Sequence, residues 1–589
     1  MIKVEKLSYG VPAKDLYKEV SFTLEDGQHC GFIGSNGTGK STLIDMMIEP
    51  EEYLFKGKII KDEQCRIGYV NQFSAEEKNQ EMTVFQYLAR RFEENQEEQA
   101  AVCARMAEEE DLEPLFEQYQ KLLDQFQAMD GEHYESNIRR QLKMVGLQNQ
   151  EDTLLSNLSG GEYKLVQIIR EMILQPNLLI MDEPDVFLDF ENLKGLSDLI
   201  NSHKGTLLVV THNRYLLNNC FDKILHLEDG DIQEFDGSYT EYNNSILQRK
   251  VELQEQAAAE QEEIERTEKM VGHMREEATR ISMASLGRAL HAKETHLARL
   301  KARQIKAPFV EIRQPKIILP TVGTDQEGRT AAAEAASMNQ DVLLRVQDYQ
   351  ITFDQCLLDN VTFDLHANEK IAIVGANGTG KTTLLREIWK NQNPAIQIGD
   401  GVEIGFLSQL HGEMLNESNT VYEEFLDLGF DNERQIAAYL ADYCFDPETL
   451  EQRISQLSGG EKNLLQIAKI SLGHADLLLL DEPTSHLDLY SQLALEKAVS
   501  EYKGAVLMVS HDFYNIVNCA DSVLWVEDKT VRRVRVRTFR QKMYEAYFDK
   551  GYLEKEQKRK ELETRIAVCL KNHDFQTAKK LCEQLVEGV

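Results

Sequence analysis

The sequence is short of several things, and each shortage excludes a class of protein. Its nine cysteines stand at 30, 65, 103, 220, 356, 444, 519, 569 and 582 with no C-x-x-C pair among them. Neither a zinc site nor a disulfide framework is therefore expected, and a reducing compartment, the cytoplasm, suits the chain. No apolar run approaches the roughly 18 residues of a membrane helix, and the opening MIKVEKLSYG has no apolar stretch of signal-peptide type. Positive charge is scarce as well. Against 99 Asp and Glu stand 65 Lys and Arg, a formal net charge of −34, which on composition alone disfavours nucleic acid or an anionic membrane as partner.

What is present is a repeat. The 589 residues, 42% of them hydrophobic, exceed one domain and can build full cores. Residues 34–42 read GSNGTGKST and residues 375–383 read GANGTGKTT. Both fit G-x-x-x-x-G-K-[ST], in which small residues let backbone N–H groups wrap a phosphate while a lysine balances its charge. Each loop follows an apolar strand (HCGFI, KIAIV) and precedes a helical pattern (LIDMM, LLREI), which is the context the motif requires. LSGGE recurs at 158–162 and 457–461, a strand ending in paired carboxylates recurs as LLIMDEP and LLLLDEP, and VVTH is matched by MVSH. Ser159 to Ser458, Glu183 to Glu482 and His212 to His511 all differ by 299, whereas Gly34 to Gly375 differ by 341. The first half thus holds 42 extra residues between its phosphate loop and LSGGE, 38 of them after Gln72 as judged against Gln409. Glu- and Gln-rich helical periodicity over 82–145 predicts a helical arm there.

The set resembles the ATP-binding cassette ATPases, and two cassettes in one chain without a membrane segment resemble the ABC-F subfamily. The resemblance covers nearly the whole chain. It implies an α/β fold of two tandem P-loop cassettes, with a helical arm inserted at about 85–145 and a helical hairpin linker. The expected divisions are 1–242 and 321–545 for the cassettes, 243–320 for the linker and 546–589 for a helical extension. It further implies head-to-tail cassettes, each ATP lying between the phosphate loop of one and LSGGE of the other.

Carried over residue by residue, the first phosphate cradle is Gly34, Ser35, Asn36, Gly37, Thr38, Gly39, Lys40, Ser41 and Thr42, with Gln72 beside it. The second is Gly375, Ala376, Asn377, Gly378, Thr379, Gly380, Lys381, Thr382 and Thr383, with Gln409. Ser458, Gly459 and Gly460 close the first site, and Ser159, Gly160 and Gly161 close the second. Ser41 with Asp182, and Thr382 with Asp481, are expected to hold Mg²⁺. Glu183 and Glu482 are expected as general bases for water, and His212 and His511 as γ-phosphate sensors. One departure stands out. The second half reads DEPTSHLD, the first DEPDVFLD, so the first site is expected to hydrolyse ATP more slowly or differently. Tyr9, Tyr349 and Phe353 are candidates for stacking on adenine or for burial in the sheet core.

Residues 243–306 run almost without Gly or Pro. Ala257, Ile264 and Val271 are spaced by seven, and Leu286, Leu290, Leu297 and Leu300 continue a narrow stripe after a turn near ISMASLG. An antiparallel coiled hairpin is expected, reaching roughly 50 Å. Between Lys269 and Lys306 nine basic residues face three acidic ones. Net charge is a sum and contacts are local, so this basic end suits RNA phosphate while the acidic body stays clear of it. A second basic run, VRRVRVRTFRQK at 531–542, reads as a final strand with arginines on one face, serving either edge protection or ribosome contact. The resemblance implies a monomer, closing between its own cassettes, that binds 23S rRNA and P-site tRNA near the ribosomal E site through hairpin and arm, without a membrane. The expected function is ATP-driven binding and release that protects the peptidyl-transferase region from antibiotics. The alternatives are a translation factor relieving stalled ribosomes and the ATP-binding subunit of a transporter.

Overall fold

The computed structural model describes residues 2–11, 14–62, 65–71, 81–109, 111–186, 188–280, 284–303, 314–320, 342–353, 356–548 and 551–587. Gln72, Phe187, Lys306 and part of the expected hairpin turn lie outside the described residues. By density of contacts the chain forms two compact units. One comprises Met1–Ser238 with Arg313–Met543, the other Tyr239–Ile312 with Tyr544–Val589.

In the first unit the two cassettes repeat one plan. The first carries a six-stranded sheet in the spatial order Ile67–Val70, Leu178–Asp182, Thr206–Val210, His29–Ile33, Lys223–Glu228, Asp231–Asp236. The second orders Ile404–Leu407, Leu477–Asp481, Ala505–Val509, Lys370–Val374, Ser522–Glu527 and Thr530–Arg535 in the same way. All neighbours are parallel except the last pair. The central strands LLIMD and LLLLD are buried along their whole length, as strands covered on both faces must be. A three-stranded antiparallel sheet, built around Ile2–Val11 or Val342–Thr352, completes each core.

Helices Val84–Met106, Glu113–Ala128 and Tyr134–Met144 occupy the stretch where the arm is expected. Thr83 caps the first of them with a reciprocal bond to Gln86, satisfying two orphan N–H groups. Val102, Leu115 and Leu122 form a small core of their own, and Phe92 stacks on Tyr134 at 4.9 Å.

The basic run at 531–542 is not one strand. The ladder with Ser522–Glu527 ends at Arg535 and a helix, Val536–Tyr547, follows. Phe539 and Met543, buried four residues apart, carry helical rather than strand periodicity. Arg533 is committed internally, donating to Ser522 Oγ (3.1 Å) and the Asp364 carbonyl (3.1 Å) and pairing with Glu369.

The second unit is helical. Tyr239–Arg280 and Ala284–Arg303 form the hairpin, and 42 residues make the first helix about 60 Å long at about 1.5 Å per residue. Arg275 pairs with Glu294 across it at 2.6 Å. Helices Tyr552–Lys571 and Phe575–Glu587 dock on the base of the long helix, where Val251 joins Leu562, Ile566, Ala578, Leu581, Cys582 and Leu585 in one core. That shared core makes the hairpin and the C-terminal segment one unit. Among the described residues no helix is long and apolar enough to cross a membrane.

Candidate nucleotide sites

Each phosphate loop leaves a core strand and enters a helix at its lysine. Gly39 and Gly380 cap these helices at φ 98° and 91°, a left-handed conformation that glycine adopts without strain. Ser41 Oγ donates to Asp182 Oδ2 (2.8 Å), and Thr382 Oγ1 donates to Asp481 Oδ1 (3.0 Å). Lys40 Nζ turns back onto the carbonyls of Gly34 and Ser35, both at 2.9 Å. Lys381 Nζ does the same to Gly375 (2.8 Å) and Ala376 (2.6 Å). Burial pulls both ammonium groups below the usual lysine range, so each is held by carbonyl dipoles at the position where phosphate charge would stabilise it. Thr38 and Thr379 tie the loops to the carbonyls of Ser35 and Ala376, both at 2.9 Å.

The sheet register delivers the carboxylates. Asp182 pairs with Val210 and Asp481 with Val509, after which Glu183 and Glu482 donate their N–H groups to the same two valines, both at 2.9 Å. Both glutamates then leave the strand with φ of 45° and 47°, strained for a residue with a Cβ and of the kind retained at functional sites. Burial, and then the Asp481 charge, push the Glu482 carboxyl up to about 8. Burial also raises that of Glu183, but His486, His212 and Lys40 outweigh it and hold the group below the ordinary carboxylate range.

His212 and His511 stand two residues past the ends of the neighbouring strands. Neither ring nitrogen of His212 has a hydrogen-bond partner among the described residues, and burial lowers the ring to about 4. His511 is lowered to about 3 by burial, and its backbone N–H donates to Glu482 Oε2 at 3.2 Å. Ser159 and Ser458 cap the LSGGE helices, each in a reciprocal bond with the glutamate three residues on. Free backbone N–H groups at such helix starts attract anions.

The cassettes meet head to tail. A cavity of about 590 Å³ is lined from the first cassette by Asn36, Gly37, Gly39, Lys40, Ser41, Thr42, Asp182 and Glu183, and from the second by Ser458, Gly459 and Gly460. Another of about 600 Å³ brings Asn377, Gly378, Gly380, Lys381, Thr382, Thr383, Glu482 and His511 together with Ser159, Gly160 and Gly161. Gln409 lines both. His212, expected with Lys40, opens together with Glu183 on the cavity of Lys381, although Lys40 and Glu183 are among the charges that act on it. The seal is tight: a Cβ on Gly460 would stand 2.1 Å from Asn36 Nδ2 of the first cassette. Tyr349 is buried in the second core and can stack on no ligand, Phe353 is exposed, and Tyr9 packs 6.3 Å from Tyr17 against the first core.

Sequence reasoning missed three sets of residues. Asp189 accepts the Asn377 N–H (3.0 Å) and Asp488 that of Asn36 (2.9 Å), each aspartate reaching the opposite phosphate loop. The matching LD that ends DEPDVFLD and DEPTSHLD was their signal. Arg214, two residues past His212, pairs with Glu496, lies 3.3 Å from Asp512 and stacks over Tyr514 at 4.6 Å, all in the second cassette. No motif marks it. Thirdly, the departure in the first motif, expected to act on the first site, falls elsewhere: Asp185, Val186 and Leu188 line the cavity of Lys381 and Glu482. Asp185 accepts from Thr211 Oγ1 at 2.6 Å, and burial raises its carboxyl to about 6.

A hydroxyl and an aspartate at each site form the hard oxygen set that suits Mg²⁺. Asp481 fits the ion further, since its buried Oδ2 has no hydrogen-bond partner among the described residues.

Two strand-loop-helix phosphate cradles, each closed by the opposite half of the same chain, define a tandem-cassette P-loop ATPase. The family described as ABC transporter matches residues 17–186 and 358–485, and a further part of the same description matches 225–316. The chain belongs to that family, as a tandem-cassette ATPase of the ABC-F type. Among curated relatives, it is 28% identical over 535 residues to the putative ATP-binding protein YdiF of Bacillus subtilis, covering 89% of this chain and 79% of that one. It is 28% identical over 540 residues to the energy-dependent translational throttle protein EttA of Escherichia coli K12, covering 88% and 90%. ABC transporter F family member 5 of Arabidopsis thaliana is 28% identical over 544 residues, covering 90% and 75%. The fold also matches ABCE1 in a model of ribosome-bound archaeal Pelota and ABCE1 (TM-score 0.57, 18% identity, 92% and 80% covered) and RNase-L Inhibitor (0.54, 18%, 92% of both).

Proposed function

We propose that this chain is a cytoplasmic, monomeric, ribosome-associated factor whose two cassettes close on ATP and reopen on hydrolysis. The observation that carries this reading is the pair of composite sites: ATP bound to either phosphate loop would touch the opposite cassette, so binding energy becomes closing energy. Lys40 and Lys381 neutralise phosphate charge, and backbone N–H groups of the loops and of the LSGGE helices wrap its oxygens. Glu183 and Glu482 hold and deprotonate the attacking water, while His212 and His511 meet the γ-phosphate. Ser41 with Asp182, and Thr382 with Asp481, would hold Mg²⁺, which offsets phosphate charge when bound.

The hairpin is the element directed to RNA, its basic end suiting 23S rRNA and P-site tRNA near the E site. The outcome we favour is protection of the peptidyl-transferase region from antibiotics. A second reading, a general factor that regulates or relieves translating ribosomes, is favoured by the likeness to a translational throttle protein. A chain carrying both Glu183→Gln and Glu482→Gln is expected to bind ATP without turnover and to co-sediment with ribosomes through sucrose when ATP is present. Its remaining wholly at the top of the gradient would overturn the ribosomal reading. Growth with and without the chain on a panel of ribosomal antibiotics separates protection from general translation.

A further inference from the structure

His486, from the second cassette, touches three working parts of the nucleotide sites. Its carbonyl accepts from Asn36 Nδ2 of the first phosphate loop at 2.9 Å. Its ring lies over the LSGGE loop, where a Cβ on Gly459 would come within 3.0 Å of it. Its Nδ1 stands 3.5 Å from Glu183 Oε2, across the boundary between cassettes. That separation is at the outer edge of hydrogen-bonding reach, and contacts of this kind tighten once substrate is bound. The ring is not there by default. His486 has φ 59° and Glu183 φ 45°, so two residues with a Cβ sit in the left-handed region to face each other, which the surrounding structure must sustain.

In the first cassette the residue in register, 299 positions earlier, is Phe187, which has no ring nitrogen to offer Glu482. Glu482 is instead approached by its own cassette's His511, through the N–H at 3.2 Å and Nε2 at 3.6 Å.

We propose that His486 is a positioning residue for Glu183: with Nδ1 protonated it donates to the carboxylate only when the cassettes are closed, so the first site's base is set by the opposite cassette and the second site's base is not. The departure in DEPDVFLD then belongs to the second site. This deepens the assignment of Glu183 and Glu482 as bases and rests on it.

Steady-state ATP turnover of the full chain tests it, with one site silenced at a time. In the Glu482→Gln chain, where only the first site turns over, His486→Phe is expected to lower kcat by about tenfold or more with little change in KM, as for an interaction that matters in the transition state. His486→Gln, whose amide can donate, recovers most of that loss. In the Glu183→Gln chain the same His486→Phe change costs kcat several-fold less. Equal losses in the two backgrounds, a loss confined to KM, or no recovery with Gln would overturn the proposal. So would a Glu482→Gln chain with no turnover above that of the double glutamine chain. The underlying assignment of Glu183 fails on a different result, turnover in the Glu482→Gln chain that survives the addition of Glu183→Gln.

Discussion

Gly460→Ala tests the composite site where contact is closest. The added methyl would lie 2.1 Å from Asn36 Nδ2 and 2.4 Å from the His486 carbonyl, while ordinary contact begins at 3.4 Å. Asn36, from the opposite cassette, can swing its amide aside only at the cost of its 2.9 Å bond to that carbonyl, while the carbonyl is backbone of Gly460's own cassette. Overpacking of this kind costs about 1–3 kcal/mol. The share of that penalty that comes from Asn36 and its lost bond falls on the closed state alone, because the open cassettes have no such neighbour, whereas the share from the His486 carbonyl falls on both states. Closure should then need about 5–150-fold more ATP, read as the distance between one label on each cassette in the chain with both glutamates changed to Gln. Gly160→Ala is the comparison: a Cβ there meets nothing within 4 Å, and the midpoint should move by about twofold at most. If Gly460→Ala closes at the same ATP concentration as its parent, the two lobes do not share the nucleotide as described.

Two further outcomes are expected. Arg214→Met leaves Glu496, almost wholly buried, and Asp512 without their cation, which should cost about 3–5 kcal/mol. Combining it with Glu496→Met should cost less than the sum of the single changes. Urea unfolding of the four chains measures this, and strict additivity would show that the pair is not coupled. His203 is half-buried, and desolvation lowers its ring from 6.5 to about 4. A depressed pKa makes its contribution fully present above pH 6.5 and lost as pH falls through about 4. Unfolding midpoints between pH 7 and 4 should decline less steeply in His203→Leu than in the parent, and parallel declines would show that this ring does not titrate with folding.

The sequence by itself determined the local parts: two phosphate cradles between strand and helix, two LSGGE caps, paired carboxylates at strand ends, an inserted helical arm and a long hairpin. All of these are set by short-range periodicity, backbone freedom at glycine and side chains a few residues apart. Only the tertiary structure decided which residues face each other across the cassettes. Asp189 and Asn377, Arg214 and Glu496, and Glu183 and His486 are separated by 188, 282 and 303 positions, and no local pattern encodes such pairings. Even the departure in DEPDVFLD was legible as a difference but not as to its place, since the loop that bears it walls the opposite site. The C-terminal segment likewise reads in sequence only as a helical extension, and its packing on Val251 is not legible there, because burial against a distant helix is a property of the assembled core and not of the segment.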